Sequence, residues 1–149
     1  MSIVLQLDTD FKEALKSKQE ARLSILRLVR SAVKNIEIEK HGPASDEDAI
    51  AVLQREIKQH KESIEAFEKA GREAEVTRLR TEMELLEKYL PPKLSDDELK
   101  DAIDNAIAES GATSVADMGK VMGAVMPKVK GRATGDEVGA MVRTILQGS

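Results

Sequence analysis

Four cations, Lys120, Lys128, Lys130 and Arg132, sit in the stretch Asp117-Met-Gly-Lys-Val-Met-Gly-Ala-Val-Met-Pro-Lys-Val-Lys-Gly-Arg-Ala-Thr-Gly135, with no acid between Met118 and Gly135. Over most of the chain acids and bases are interleaved, so local charge of one sign stands out. A cationic segment containing glycines attracts anions, because ammonium and guanidinium groups neutralise them and glycine lets the backbone come close. Gly119 and Gly123 are four apart and share one side of a helix. Two readings are open for them: close packing of a neighbouring helix, or an exposed edge on which a sugar-phosphate backbone could lie. Lys120 points away from the apolar stripe of that helix, and Gly131 lies among Lys128, Lys130 and Arg132. The candidate binding set is therefore Gly119, Lys120, Gly123, Lys128, Lys130, Gly131 and Arg132. A second basic stripe, Arg27, Arg30 and Lys34, is a candidate extension, since every charged residue from Ala21 to Ile36 is basic. Phosphate contacts this few give weak, salt-sensitive binding, with a log–log salt slope of roughly −3 and a non-specific affinity of about 10⁻⁴ to 10⁻⁶ M. That suits an auxiliary grip better than a sequence reader.

Residues for covalent chemistry are harder to assemble. The absence of cysteine excludes disulfides, thiol nucleophiles and zinc–thiolate sites. Of the histidines, His60 falls at a seam position of a helix, where a satisfied seam histidine is expected, and His41 lies in a helix-terminating turn beside a helix dipole. The chain has no Gly-x-Ser-x-Gly elbow. It also has no phosphate-binding loop, because Gly119-Lys120 lacks the upstream glycine spacing and the following Ser or Thr. Glu73, Glu75, Glu82, Glu84 and Glu87 lie among bases on what reads as exposed helix, so no buried acid–base pair or metal cage is expected. No catalytic residue, metal or cofactor is assigned.

The elements that must position the basic strip are all helical. Asp8 or Thr9 is expected to cap a first helix through about Lys16. A second runs from about Gln19 to Lys40, with Ala21, Ile25, Leu28, Val29, Ala32 and Ile36 as its apolar face. His41-Gly42-Pro43 stops it, glycine being suited to the left-handed position. Ser45 with Asp48 resembles a capping box opening a third helix with Ile50, Leu53, Ile57, His60, Ile64 and Phe67 on its seam. Gly71 then turns the chain into a fourth, with Val76, Leu79, Met83, Leu86 and Leu90. The pair reads as a long antiparallel hairpin with a coiled-coil-like seam and solvated outer faces. Pro91-Pro92 cannot continue a helix and marks a boundary between an N-terminal helical domain, 1–90, and a tail, 91–149.

In the tail, the set Leu99, Ala102, Ile103, Ala106, Ile107, the set Met118, Val121, Met122, Val125, Met126, and the set Val138, Met141, Val142, Ile145, Leu146 each follow i, i+3, i+4, i+7, i+8. Ser95 with Glu98 caps the first of these helices, Ser114 the second, and Thr134 with Glu137 the third, while Gly111 and Pro127 act as stops. The fold class is all-α, with a small three-helix C-terminal domain. Aromatics at 2% leave no stacking platform for unpaired bases, and a net charge of −4 restricts any nucleic-acid contact to local patches. The N-terminus has no apolar run resembling a signal peptide or membrane span. A cytoplasmic protein without membrane contact is expected.

The stretch from Asp117 to Gly135 resembles the signature of the GatB/YqeY family. Tyr89-Leu-Pro-Pro-Lys-Leu-Ser, Arg22-Leu-Ser-Ile-Leu-Arg27 and Val52-Leu-Gln-Arg-Glu-Ile-Lys58 resemble further motifs of its standalone YqeY branch. Thr134 departs from the pattern, which more often has Asp there; either residue caps a helix. The resemblance implies a helical N-terminal domain followed by a tail similar to the C-terminal domain of the tRNA-dependent amidotransferase B subunit. That enzyme is a carbon–nitrogen ligase using glutamine as amido donor, and its tail grips the outer corner of tRNA while other domains do the chemistry. The implied partners are tRNA and amidotransferase or aminoacyl-tRNA synthetase components. The alternative from the hairpin's charged faces is a helical protein–protein adaptor without RNA contact.

Overall fold

The computed structural model describes residues 2–148, and among these all regular structure is helical. The elements are α1 (Ile3–Lys16), α2 (Glu20–Lys40), α3 (Asp46–Lys69), α4 (Glu73–Glu87), α5 (Asp96–Ser110), a short 3₁₀ turn (Val115–Asp117), α6 (Met118–Val129) and α7 (Gly135–Gln147). The all-α class expected from the sequence is the class observed. The chain divides into two compact units, Met1–Leu90 and Pro91–Ser149.

In the first unit α1 begins earlier than the Asp8 or Thr9 start expected. Ser2 caps it, its Oγ accepting from Leu5 N at 3.1 Å, and Ile3 N donates to Asp46 Oδ1 at 2.9 Å. Burial of Ile3 and Leu7 supplies the reason, since both pack into the core that Asp8 alone does not reach. The buried face of α2 is also rotated from expectation. Leu23, Ile25, Leu26, Val29 and Val33 are inside, Ala32 and Ile36 are half-buried, and Ala21 and Leu28 are exposed. Periodicity alone offered two overlapping apolar faces, and packing against α1 and α3 selected one. At the end of α2, His41 rather than Gly42 takes the left-handed conformation (φ 55°). His41 N donates to Ile38 O and Gly42 N to Glu37 O, at 3.4 and 3.2 Å, the two bonds of a Schellman ending.

The helices α3 and α4 form the expected hairpin around Gly71, whose φ of 70° favours glycine. Polar contacts joining Glu68 to Arg80 and His60 to Glu82 run in opposite order along the two helices, the mark of antiparallel pairing. Ile64, Val76 and Leu79 bury there with Phe67 and Met83 beside them, while Leu53 and Leu86 join Leu7, Leu26 and Val29 in the main core. Each such leucine contributes about 1.5–3 kcal/mol through burial. The Tyr89 hydroxyl donates to Asp10, which also meets Arg22 at 3.6 Å, tying the segment after α4 to α1. Burial, then the Asp10 bond, push that hydroxyl well above the usual phenol range.

One expectation about acids is overturned in the seam. Glu82 is buried, not surface-exposed, and it forms a buried acid–base pair with His60: Nε2 lies 2.8 Å from Glu82 Oε2, and Nδ1 donates to Glu56 O at 2.8 Å. Arg78 reaches the other Glu82 oxygen at 3.3 Å. Glu82 falls three residues after Leu79, in phase with the seam, and His60 opposite gives it a partner that offsets desolvation.

Two predictions follow from these contacts. Glu82→Ala leaves His60 buried without its partner and should lower the unfolding free energy by about 3–5 kcal/mol in urea titrations, whereas His60→Leu with Glu82→Leu should recover most of that loss. Asp48, bonded to Lys40 at 2.7 Å and closing the capping box with Ser45, is held at about 2 against an ordinary value of 3.8. A carboxyl depressed in the folded state stabilises above its unfolded pKa and loses that contribution as pH falls between these two values. The Asp48→Asn protein should therefore show a shallower acid limb than the parent over that range, measured as melting temperature against pH.

Candidate nucleic-acid interface

Helix α6 presents the candidate strip by burying its opposite side. Val121, Val125 and Val129 are inside, packed with Ile103 of α5 and Val138 and Val142 of α7. Met118, Met122 and Met126 are half-buried at the margin of that core. Pro127 does not end the helix as expected. It lies in the last turn and the helix continues to Val129, because burying Val129 rewards one more turn despite the missing N–H. At the other end Ser114 makes no side-chain cap. The 3₁₀ turn intervenes, and Asp117 Oδ2 accepts from Thr113 N at 3.0 Å. This bond is the main reason its carboxyl sits below the usual range.

On the outer side, Gly119, Gly123 and Lys120 are exposed. Among the described residues, a Cβ placed on Gly119 or Gly123 would meet nothing within 4 Å, so no other helix of the tail packs closely against them. At the margin of the α6–α7 contact, a Cβ placed on Gly139 would lie 3.6 and 3.9 Å from Met118 Cε and Met122 Cε. Glycine inside a helix costs about 0.5–1 kcal/mol relative to alanine. Nothing within the chain compensates for that cost at 119 or 123.

The loop after α6 is less open than its sequence suggests. Lys130 (φ −54°, ψ 127°) and Gly131 (φ 81°) form a turn closed by Arg132 N donating to Val129 O at 2.9 Å, the geometry of type II. Gly131 is buried. Its backbone serves the turn. Arg132 is likewise committed to structure. Its Nε donates to Pro92 O at 2.8 Å, its carbonyl accepts from Leu94 N at 3.0 Å, and its guanidinium lies 3.8 Å from Glu98. The start of the tail is thereby stitched to the α6–α7 turn, with Lys93 reaching Glu137 of α7 at 3.0 Å. Thr134 caps α7, its Oγ1 accepting from Glu137 N at 3.1 Å.

The strip is acid-free along the chain but not in space. Lys128 lies 3.1 Å from Glu109 of α5, and Lys120 lies 3.9 Å from Asp117. Lys130 is exposed. Exposed pairs of this kind are worth about 0–1 kcal/mol, so a phosphate can displace the carboxylate from either lysine. Glu98 was legible as a capping residue but not as an arginine partner, and no sequence signal linked Glu109 to Lys128, nineteen residues away.

The second basic stripe belongs to the first unit. Arg30 Nε donates to Asp8 Oδ1 at 2.8 Å and its guanidinium stacks 4.1 Å over the Phe11 ring, so it is engaged internally. Arg27 and Lys34 are exposed beside an open groove of about 270 Å³ walled by Val4 and Leu7. Among the described residues no three His, Cys, Asp or Glu side chains group as a metal site, and no helix is long and apolar enough to cross a membrane.

An all-helical chain of two units whose tail displays a glycine-and-lysine edge defines a class, and comparison with known proteins gives it a family. The family model described as Yqey-like protein matches residues 5–146, and the chain belongs to that family. Among curated proteins it is similar to altered inheritance of mitochondria protein 41, mitochondrial. The Lachancea thermotolerans protein of that name is 35% identical over 109 residues, 71% of this chain and 58% of the relative. The Pyrenophora tritici-repentis protein is 29% identical over 139 residues, 91% of this chain and 75% of the relative. A Saccharomyces cerevisiae protein is 33% identical over 85 residues, 56% of this chain and 46% of the relative. The chain thus spans between about half and three quarters of the length of these relatives. Their names correct the expectation of a cytoplasmic protein, since they point to mitochondria instead.

The two kinds of glycine in the strip predict opposite outcomes. Gly131→Ala forces a buried left-handed residue to carry a Cβ and should destabilise the protein by about 1–2 kcal/mol. Gly119→Ala and Gly123→Ala should each stabilise it by about 0.5–1 kcal/mol. Thermal unfolding of the three variants checks both signs.

Proposed function

We propose that this YqeY-like protein is an accessory tRNA-binding module, related to the tail of the glutamine-dependent amidotransferase B subunit, that grips tRNA along the outer edge of α6. One observation carries the reading: Gly119 and Gly123 hold an exposed helix face open, beside Lys120, at a cost to helix stability that no contact to a Cβ there would repay among the described residues. A face without side chains admits a sugar-phosphate backbone to van der Waals distance, and lysines at its margin neutralise the phosphates. Within the strip the contact set becomes Gly119, Gly123, Lys120, Lys128 and Lys130, with Gly131 and Arg132 shaping the turn behind it. Such a module holds the nucleic acid, while any carbon–nitrogen ligase chemistry belongs to separate catalytic partners of the amidotransferase or aminoacyl-tRNA synthetase kind.

The test separates binding from stability. Gly119→Ala with Gly123→Ala should preserve or raise the melting temperature yet weaken binding of bulk tRNA at least about tenfold in a low-salt shift assay. Adding Lys120→Glu should remove the remaining shift. In the parent, the log–log salt slope should be about −2 to −3, as three lysines imply. Unchanged affinity in the triple variant would sink the reading.

A further inference from the structure

The face of α2 turned away from the core carries a pattern that neither the core nor the tail uses. Ala21, Ser24, Leu28, Ser31, Asn35 and Ile38 follow one another at alternating steps of three and four, all are exposed, and none is charged. Leu28 and Ile38 are 49% and 66% exposed, unusually open for large aliphatic side chains. This is the a/d spacing of a helix that packs on another helix. It lies on a helix of 21 residues, long enough to present the whole stripe along a single axis.

Charges flanking the stripe identify the occupant. With Ala21, Leu28 and Asn35 at a, and Ser24, Ser31 and Ile38 at d, Arg27 and Lys34 fall at g while Ala32 and Glu39 fall at e. In a parallel, in-register pair, each g residue faces the e residue five positions further along the other helix. Lys34 then faces Glu39 of the second copy, twice by symmetry, and Arg27 faces Ala32 without a like charge opposite. Among the described residues, neither Lys34 nor Glu39 has an ion-pair partner and the Asn35 side chain has no hydrogen-bond partner. An antiparallel pair would bring Arg27 against Lys34 of the other copy. The small Ser24 and Ser31 allow close approach, and Asn35 meets its own copy at an a layer, an arrangement that sets register and two-strandedness.

We infer that this face is a self-association surface, on which α2 packs parallel and in register against α2 of a second copy. The interface is short and rich in small residues, so the dimer is weak and concentration-dependent. An acidic helix of another protein, or a nucleic acid drawn by Arg27 and Lys34, would leave the Lys34–Glu39 complementarity without use.

The experiment is sedimentation of the full chain over a concentration series, without RNA, so that its outcome is independent of the tail's tRNA grip. A monomer–dimer equilibrium is expected, weakened at least about tenfold by Leu28→Glu, by Lys34→Glu and by Glu39→Lys, and restored to within about threefold by Lys34→Glu combined with Glu39→Lys. All three positions are exposed, and unchanged helical circular dichroism confirms that the variants fold. Because the chain has no cysteine, Asn35→Cys provides a clean reporter: a parallel in-register pair brings the two sulfurs within disulfide reach, and mild oxidation should cross-link the dimer. A monomer at every concentration, a dimer indifferent to the single reversals, or no cross-link through position 35 overturns the assignment.

Discussion

Burial of Val121, Val125 and Val129 is the constraint on which the tail's arrangement rests. A helix of 3.6 residues per turn that commits one stripe to a core has no freedom left about its axis. Once those valines lock against Ile103, Val138 and Val142, Gly119, Gly123 and Lys120 face outward whatever else the chain does. The methionines at the margin fill the uneven space toward α7, as flexible unbranched side chains do. The glycine edge is therefore fixed from behind, although among the described residues a Cβ at Gly119 or Gly123 would meet nothing within 4 Å.

The turn after α6 shows why basic residues near one another in sequence need not share a role. Arg132 has a planar fork of donors, and it uses them on the Pro92 carbonyl and Glu98. Lysine at the same place would gather its three donors on one atom, without that fork. Gly131, buried with positive φ, lets the chain reverse tightly enough for Arg132 to point back toward the start of the tail. The Pro91-Pro92 segment, which has little backbone bonding capacity of its own, is ordered by that reach. Lys120, Lys128 and Lys130 remain on the surface, where the charges of Lys120 and Lys128 are tempered by acids from the 3₁₀ turn and α5 rather than cancelled.

The first unit solves a different problem. Its hairpin carries a buried histidine–glutamate pair in a seam that is otherwise apolar, and its α2 keeps an uncharged heptad stripe in water. A buried pair of this kind adds little net stability over apolar residues, but it penalises a shifted register, because sliding the helices by one turn would separate both partners from each other. The exposed stripe has a comparable directional character, its charged flanks matching one orientation of a second helix and opposing the other.

Helix number, the hairpin, the capping boxes at Ser45 and Ser95 and the buried stripes of the tail were all legible in the sequence, because each is fixed by neighbours within a few residues. Valine, leucine and isoleucine at helical spacing state which side is wet, and a serine three residues before an acid states where a helix begins. What lay beyond reach were decisions between two locally equal choices. The face of α2 that goes inside, the burial of Glu82, the start of α1 at Ile3 and the continuation of α6 past Pro127 all depend on surfaces supplied by distant residues. So does the division of the basic strip into surface lysines and a structural arginine, since Glu98, Glu109 and the Pro92 carbonyl are brought to it only by packing. By itself the sequence determined the helices and the composition of the strip. The tertiary structure decided which of its charges are spent inside the molecule, because electrostatic partners are chosen by distance in space and not along the chain.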